Sequence, residues 1–210
     1  MVSLSNHPFS PQQQEVLAEA TKYYHEQIKD ISPTLHQKEL ERFVIELSWK
    51  SSKIEGNTYT LLDTELLLRE AKEAPGHDHT EAQMILNHKS AFSYIHTHAK
   101  QFAMLRRSHI EDVHKLLVAN LGVTHNIRKK PVGVTGSRYR PLDNEHQIVE
   151  TMETLLYTIN SCPDPYAKAL FLLLGLSYIQ PFEDGNKRTS RLMANAVLLS
   201  HGLAPLSYRS

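Results

Sequence analysis

The chain has 210 residues, with 23 Lys and Arg against 23 Asp and Glu, 40% hydrophobic and 22% charged residues, eight Gly and ten Pro. That length suits one domain, or one with a small appendage, and the composition excludes disordered, collagen-like and low-complexity classes. A zero balance argues against a protein that coats nucleic acid or anionic membrane, but it leaves room for a local basic pocket.

Cys162 is the only cysteine, so no disulfide can form within the chain and no multi-thiolate zinc site exists. The opening MVSLSNHPFS lacks the basic start and the apolar stretch of about 7–15 residues of a signal peptide. The most apolar run, Ala167 to Ile179, is interrupted by Lys168, Gly175 and Ser177 and is far short of the ~20 residues that span a bilayer. A cytoplasmic protein with no membrane partner is the expectation.

Ser10-Pro11, with Gln13 three residues after the Ser, predicts a capped helix start, and Val16, Leu17, Ala20, Tyr23, Tyr24 and Ile28 follow at helical spacing. Ser32-Pro33 repeats the signal, and Leu40, Phe43, Val44, Leu47 and Ile54 carry the period to a stop at Gly56-Asn57. Thr60 and Asp63 cap a short helix that Pro75-Gly76 terminates. A helix over about 80–98 presents Met84, Ile85, Ala91, Phe92 and Ile95 on one side. A capping box at Ser108 and Glu111 predicts the next, running to Gly122.

Residues 128–143, RKKPVGVTGSRYRPLD, break the helical pattern and read as a short hairpin or flap between two prolines. Helical spacing returns with Ile148, Met152, Leu155, Leu156 and Ile159 and ends at Cys162-Pro163. The stretch from Tyr166 to Ile179 is apolar nearly all round, as expected of a helix in the middle of a bundle. The last helix starts near Gly185-Asn186 and fades at His201-Gly202. About eight helices, one β-hairpin, no alternating strand–helix pattern and no internal repeat predict an all-α domain.

Gln180 to Arg191, QPFEDGNKRTSR, is the segment least like packing material. Its Asp184-Gly185-Asn186 turn offers free backbone N–H groups at a helix start, and Lys187, Arg188 and Arg191 add three positive charges within two turns. Cations there oppose the helix dipole unless an anion is bound, and phosphate is the obvious candidate. The plain alternative is a helix–turn–helix corner capped by Asp184 with three solvated bases. A P-loop is excluded, because GxxxxGK[ST] is absent and no strand precedes the turn.

These residues resemble the core motif of the Fic (filamentation induced by cAMP) family, HPFx[D/E]GN[G/K]RxxR, through Pro181, Phe182, Asp184, Gly185, Asn186, Lys187, Arg188 and Arg191. The flap is similar to the hairpin that precedes the motif in that family, through Val132, Val134, Gly136, Ser137, Tyr139 and Pro141. Ser51 to Gly56 fits its inhibitory [S/T]xxxE[G/N] helix. The implied organisation is an N-terminal helical segment over 1–44 and a Fic-like domain over 45–210, with the inhibitory helix at about 45–57, the flap at 128–143 and the core motif at 180–191.

The resemblance implies transfer of AMP from ATP, with Mg²⁺ or Mn²⁺, onto a Ser, Thr or Tyr hydroxyl of a target protein. Asp184 would hold the metal between the phosphates. Gly185 and Asn186 would form the anion hole, with Lys187 beside them, and Arg188 and Arg191 would neutralise the β- and γ-phosphates. Val134, Thr135, Gly136 and Ser137 would hold the target by edge pairing. Glu55 would pair with Arg191 in the place the γ-phosphate needs, with Ser51 steadying the Glu, so that ATP binds only unproductively. The family also implies a homodimer as an expected assembly, and contact with nucleic acid only through a winged-helix region after the core, beyond Ser210.

One position departs from the family: Gln180 stands where the motif has a histidine that takes the proton from the attacking hydroxyl. An amide has no usable basicity, and losing a general base typically costs ~10²–10⁴ in rate, or roughly 3–5 kcal/mol of barrier. The expectation is therefore weak or absent transfer. Another base, nucleotide binding without transfer and an inactivating change remain open. The alternatives are a regulatory or antitoxin-like nucleotide-binding module without chemistry and, less favoured, Glu55-dependent removal of AMP from protein. His77, His79, His96, His98, His109, His114 and His125 show no metal-ligand spacing and read as satisfied or solvent-facing.

The zero charge is itself a sum. Residues 128–140 carry five Lys and Arg and no acid, whereas residues 39–81 carry ten Asp and Glu against five Lys and Arg. A basic flap and an acidic N-terminal half follow.

Overall fold

The computed structural model describes residues 8–134 and 136–208. Eight α-helices make up the described chain: α1 (Pro11–Lys29), α2 (Pro33–Ile54), α3 (Leu61–Glu70), α4 (His79–Thr97), α5 (Arg107–Leu117), α6 (Glu145–Ser161), α7 (Pro165–Ile179) and α8 (Asn186–Ser200), with a 3₁₀ turn at Ala99–Ala103 between α4 and α5. The all-α expectation holds, and no helix among the described residues is long and apolar enough to cross a membrane.

Local sequence chemistry accounts for most helix starts. Ser10 accepts from the Gln13 N–H while the Gln13 side chain accepts from the Ser10 N–H, Ser32 caps α2, Thr60 and Asp63 form a reciprocal box, and Asp78, Asn144 and Asp164 cap α4, α6 and α7. The expected box at Ser108 is corrected. Helix α5 begins at Arg107 after Arg106, so Ser108 lies inside the first turn, and the Arg106 N–H bonds the His109 ring. Helix α3 ends at Ala71 in the left-handed region, before Pro75-Gly76.

The core is organised around α8, not α7. Twelve of the fifteen α8 residues are buried, including Asn186, Arg188, Thr189, Ser190 and Arg191 in its first two turns. Helix α7 leaves Leu174 and Tyr178 exposed, although its sequence is the most apolar in the chain. Mean hydropathy misassigns the centre because the first half of α8 is buried and polar at once. Leu192, Met193, Ala196, Val197 and Leu198 complete its packing with Phe92, Ile95, Phe102, Ile110 and Leu172 from the surrounding helices. Gly175 lets α6 and α7 approach closely, since a Cβ there would lie 2.6 Å from a methyl of Leu155. A smaller cluster of Ile45, Tyr59, Leu67, Leu68, Ala82 and Ile85 joins α2, α3 and α4.

Helix α1 buries no residue and is tied on by a hydroxyl contact of Thr21 with Tyr166 at 2.7 Å and by His25 to the Gly202 carbonyl at 3.0 Å.

The β-hairpin is not seen: no strand occurs among the described residues of 128–143. One backbone bond, Ser137 N–H to Val134 C=O at 3.0 Å, closes a turn, and Thr135 lies outside the described residues. Pro131 and Pro141 remove donors at both ends, so a two-stranded ladder has little to close on. The segment is instead held at its base by side chains.

Candidate active site

The site lies where α7 turns into α8. Gln180 ends α7 with φ +50°, its N–H bonding Leu176 C=O and its side-chain amide donating to Ser177 C=O at 2.6 Å. The Asn186 side chain bridges the turn, accepting from Phe182 N–H at 2.9 Å and donating to Phe182 C=O at 2.8 Å. Gly185 has φ +77°, and a Cβ there would come within 3.2 Å of Val118 and 3.5 Å of the His114 ring. Backbone geometry and close packing both require glycine at that position.

No side chain caps the N-terminus of α8. Asp184, expected as a cap on the plain reading, instead accepts from Arg188 at 2.9 Å. The N–H groups of the first turn are left for another acceptor, and an anion satisfies them best.

Two buried guanidiniums stand behind this turn. Arg188 is 2% exposed and keeps its Nη1 without a hydrogen-bond partner among the described residues. Burial lowers its pKa, opposed by the charges of Asp184 and Glu55. Arg191 donates through Nη2 to Glu55 Oε1 at 2.7 Å and to the Ser51 carbonyl at 2.9 Å, and through Nε to Ser51 Oγ at 3.0 Å. Tyr208 packs over it and donates to its carbonyl at 3.1 Å. Ser51 therefore grips Arg191 directly. No hydrogen bond joins it to Glu55 among the described residues, and the two are linked through the Arg191 guanidinium that both accept from. Glu55 itself is the residue after α2, whose N–H bonds Ser52 C=O, and it projects from a helix end.

These residues enclose a cavity of about 130 Å³, lined by Glu55, Val132, Gly133, Val134, Gln180, Glu183, Asp184, Gly185, Asn186 and Lys187. The structure thus brings together Gln180, Asp184, Gly185, Asn186, Lys187, Glu55 and flap residue Val134 around one opening. Arg188 and Arg191 stand buried on α8 behind it, while Gly136 and Ser137 lie further along the exposed flap. That volume admits a phosphate-sized group but is below the roughly 300–1,000 Å³ of sites that take whole small molecules.

Arg128 and His114 escaped sequence reasoning. Arg128, 1% exposed, donates Nε to the Gln180 carbonyl at 2.6 Å, Nη1 to the Lys130 carbonyl at 3.0 Å and Nη2 to the Leu142 carbonyl, while its N–H bonds Pro181 C=O at 3.0 Å. It ties both ends of the flap to the start of the core motif. In the sequence it is one base in a basic run, and nothing there distinguishes it.

The His114 ring stacks on Phe182 at 3.6 Å, interplanar angle 3°, and Nε2–H donates to the Asp184 carbonyl at 2.9 Å. Burial pushes its pKa down to about 4. His88, wholly buried and bonded to Ser48 through Nδ1, falls to about 3, mainly by burial and then by the charges of Arg191 and Arg188. The spacing of His114 with Ile110, Val113 and Leu117 was the available signal that it faces inward.

A family model described as Fic/DOC family matches residues 104–198. The chain is 29% identical over 170 residues to the protein adenylyltransferase Fic of Nematostella vectensis, covering 77% of this chain and 39% of that protein. It is 24% identical over 159 residues to protein adenylyltransferase fic-1 of Caenorhabditis elegans, covering 73% and 31%. The chain therefore spans about a third of the length of these relatives. Its fold is that of a Fic domain containing signaling protein from Bacteroides thetaiotaomicron, with TM-score 0.78 at 22% identity over 92% of this chain and 75% of that one. The fold is shared equally with Fic-1 (aa134–508) from C. elegans, with TM-score 0.80 at 21% identity over 93% and 59%. The uncapped α8 turn and the paired guanidiniums behind it lie in the stretch, residues 104–198, that matches the Fic/DOC family model.

Proposed function

We propose that the chain is an autoinhibited Fic-type unit that binds ATP at the α8 turn and whose chemistry is transfer of AMP to a hydroxyl of a target protein. The observation that carries it is Arg188 Nη1, a buried charged donor without a partner beneath an uncapped helix start. Such a group is costly unless an anion reaches it, and a phosphate chain supplies that anion.

In this reading the α8 N–H groups and Arg188 bind the phosphates, and the target oxygen forms a bond to the α-phosphorus as the bond to the departing pyrophosphate breaks. The hydroxyl proton must leave during attack. Gln180 lines the cavity but cannot accept it, so the transfer is slow. Asp184, 62% exposed at the opening, would hold Mg²⁺ or Mn²⁺ through the hard oxygen ligand such cations prefer. No group of three or more His, Cys, Asp or Glu that could hold a metal by itself occurs among the described residues. Bound metal would screen phosphate charge.

Inhibition follows from the same geometry. Glu55 occupies Arg191 and lines the opening, so a phosphate that is to reach Arg191 requires the pair to part. Glu55 also lies in the same opening as Asp184, which favours removal of AMP by a Glu55-activated water as the second reading.

Incubation with α-labelled ATP and Mg²⁺ or Mn²⁺ tests the reading on four proteins: the chain itself, Glu55→Gly, Gln180→His and the double change. Label is expected to be strongest in the double change. Label equal in all four overturns both inhibition and the handicap at Gln180. Absence of nucleotide binding in all four overturns the site assignment.

A further inference from the structure

Functional assignment leaves the basic flap largely unused. Of its five Lys and Arg, Arg128 is buried and serves the flap base, and Lys129 faces Glu145 at 3.7 Å. Lys130, Arg138 and Arg140 are exposed, and no carboxylate lies within salt-bridge distance of them among the described residues. No acid occurs between 128 and 140 to offset them.

Placement gives these charges a consequence. Val132, Gly133 and Val134 of the same short segment line the opening with Gln180 and Asp184. The flap is held in place by the three carbonyl contacts of Arg128 at its base and by Tyr139, whose ring stacks on exposed Tyr178 of α7 at 4.3 Å. Three exposed cations are thus carried by the segment that lines the mouth through which, on the proposed function, an acceptor hydroxyl enters. Exposed cations with no carboxylate partner favour a negatively charged visitor.

We infer that the outer face of the flap docks an acidic protein segment flanking the acceptor hydroxyl, read by Lys130, Arg138 and Arg140. This rests on the proposed function for the identity of the acceptor. It adds the charge of the target, which that reading leaves open. Exposed ion pairs are individually weak, so recognition takes the form of preference and steering, with three of them giving roughly a tenfold advantage at low salt.

Fluorescence anisotropy on the full chain tests this without requiring transfer, using three labelled synthetic peptides with one central Thr flanked by Asp and Glu, by Asn and Gln, or by Lys and Arg. The acidic peptide is expected to bind ~10-fold more tightly than the neutral one, with the advantage shrinking as added salt screens the charges. In the Lys130→Glu, Arg138→Glu, Arg140→Glu triple variant the preference should pass to the basic peptide, with an unchanged melting temperature because all three side chains are exposed. Equal affinities, or no binding of any peptide, overturn the inference. So does a triple variant that loses ATP affinity while keeping its peptide preference, since the cations would then belong to the nucleotide site. Tighter binding of a single-stranded RNA oligonucleotide than of the acidic peptide also overturns it. Selection of acidic peptides by a chain that labels nothing in all four transfer assays would sink the adenylyl-transfer reading alone.

Discussion

Replacing Arg128 with Met keeps most of the side-chain volume and removes a guanidinium that bonds three carbonyls. Those acceptors are not equivalent. Gln180 is only 7% exposed, so its carbonyl would be left dry and unpaired, at ~1–3 kcal/mol. Lys130 and Leu142 are exposed, so water can replace their bonds, and each contributes roughly 0.5–1 kcal/mol. Met also removes the cost of burying a charge, which offsets part of the loss. The net expectation is a destabilisation of about 1–4 kcal/mol, concentrated at the flap. Urea denaturation measures the global part. Amide exchange over residues 129–142 measures the local part and should quicken several-fold, because among its described residues the flap has a single backbone bond of its own, Ser137 to Val134. Arg128→Met with unchanged stability and unchanged exchange in the flap would refute the clamp.

Glu55→Gln trades the charged bond to Arg191, between side chains 8% and 22% exposed, for a neutral one and relieves competition with phosphate. A charge-assisted bond is roughly twice as strong as a neutral one, so the swap releases about 1 kcal/mol and predicts roughly a three- to tenfold gain in ATP affinity by calorimetry, and no gain at all would contradict the occlusion. Asn186→Ala strands both the N–H and the C=O of buried Phe182 and should cost about 2–4 kcal/mol in urea denaturation together with ATP binding, whereas loss of binding alone at full stability would contradict the bridge. For pH, the buried rings of His88 and His114 stay neutral to about 3 and about 4 while the unfolded chain protonates near 6.5. The unfolded state then binds more protons below 6.5, so the contribution of the two rings is constant above that pH and falls as pH drops towards 4, by several kcal/mol at roughly 1.4 kcal/mol per pH unit for each ring. A urea midpoint that is flat between pH 6.5 and 4 would show that the rings are not held neutral, and His114→Gln should flatten the slope in part.

Helix positions were legible in the sequence because they follow from local chemistry. Ser10 with Gln13, Thr60 with Asp63, and the prolines after Ser10, Ser32 and Asp164 cap or pre-set the first turns in the structure as the sequence predicts. Start signals failed at Ser108, where a valid box was overridden by an earlier start at Arg107, and the 3₁₀ turn Ala99–Ala103 left no signal. The flap failed for a different reason. Alternating Val132 and Val134 satisfy a strand pattern, but pairing needs a donor-rich partner segment, and this one is bounded by Pro131 and Pro141.

The turn before α8 was legible as a candidate anion site, since three cations after Asp184-Gly185-Asn186 are unfavourable at a helix start without an anion. Its burial was not. Charged residues ordinarily read as solvated, so Arg188 and Arg191 could be located only when α8 proved to be the central helix. Sequence by itself determined the helix count, the uncapped basic turn before α8 and the absence of an imidazole at position 180, because each depends on residues adjacent in the chain. The family resemblance implied the Glu55–Arg191 pair, which the structure shows across 136 residues, whereas tertiary structure alone decided that Ser51 meets Arg191 across 140 residues, that Arg128 holds the flap to Gln180, and that His114 carries Phe182 and the Asp184 carbonyl. Those contacts join side chains whose local spacing carries no information about one another, and only the packing of α2, α5 and α8 around a shared core brings them within hydrogen-bond distance.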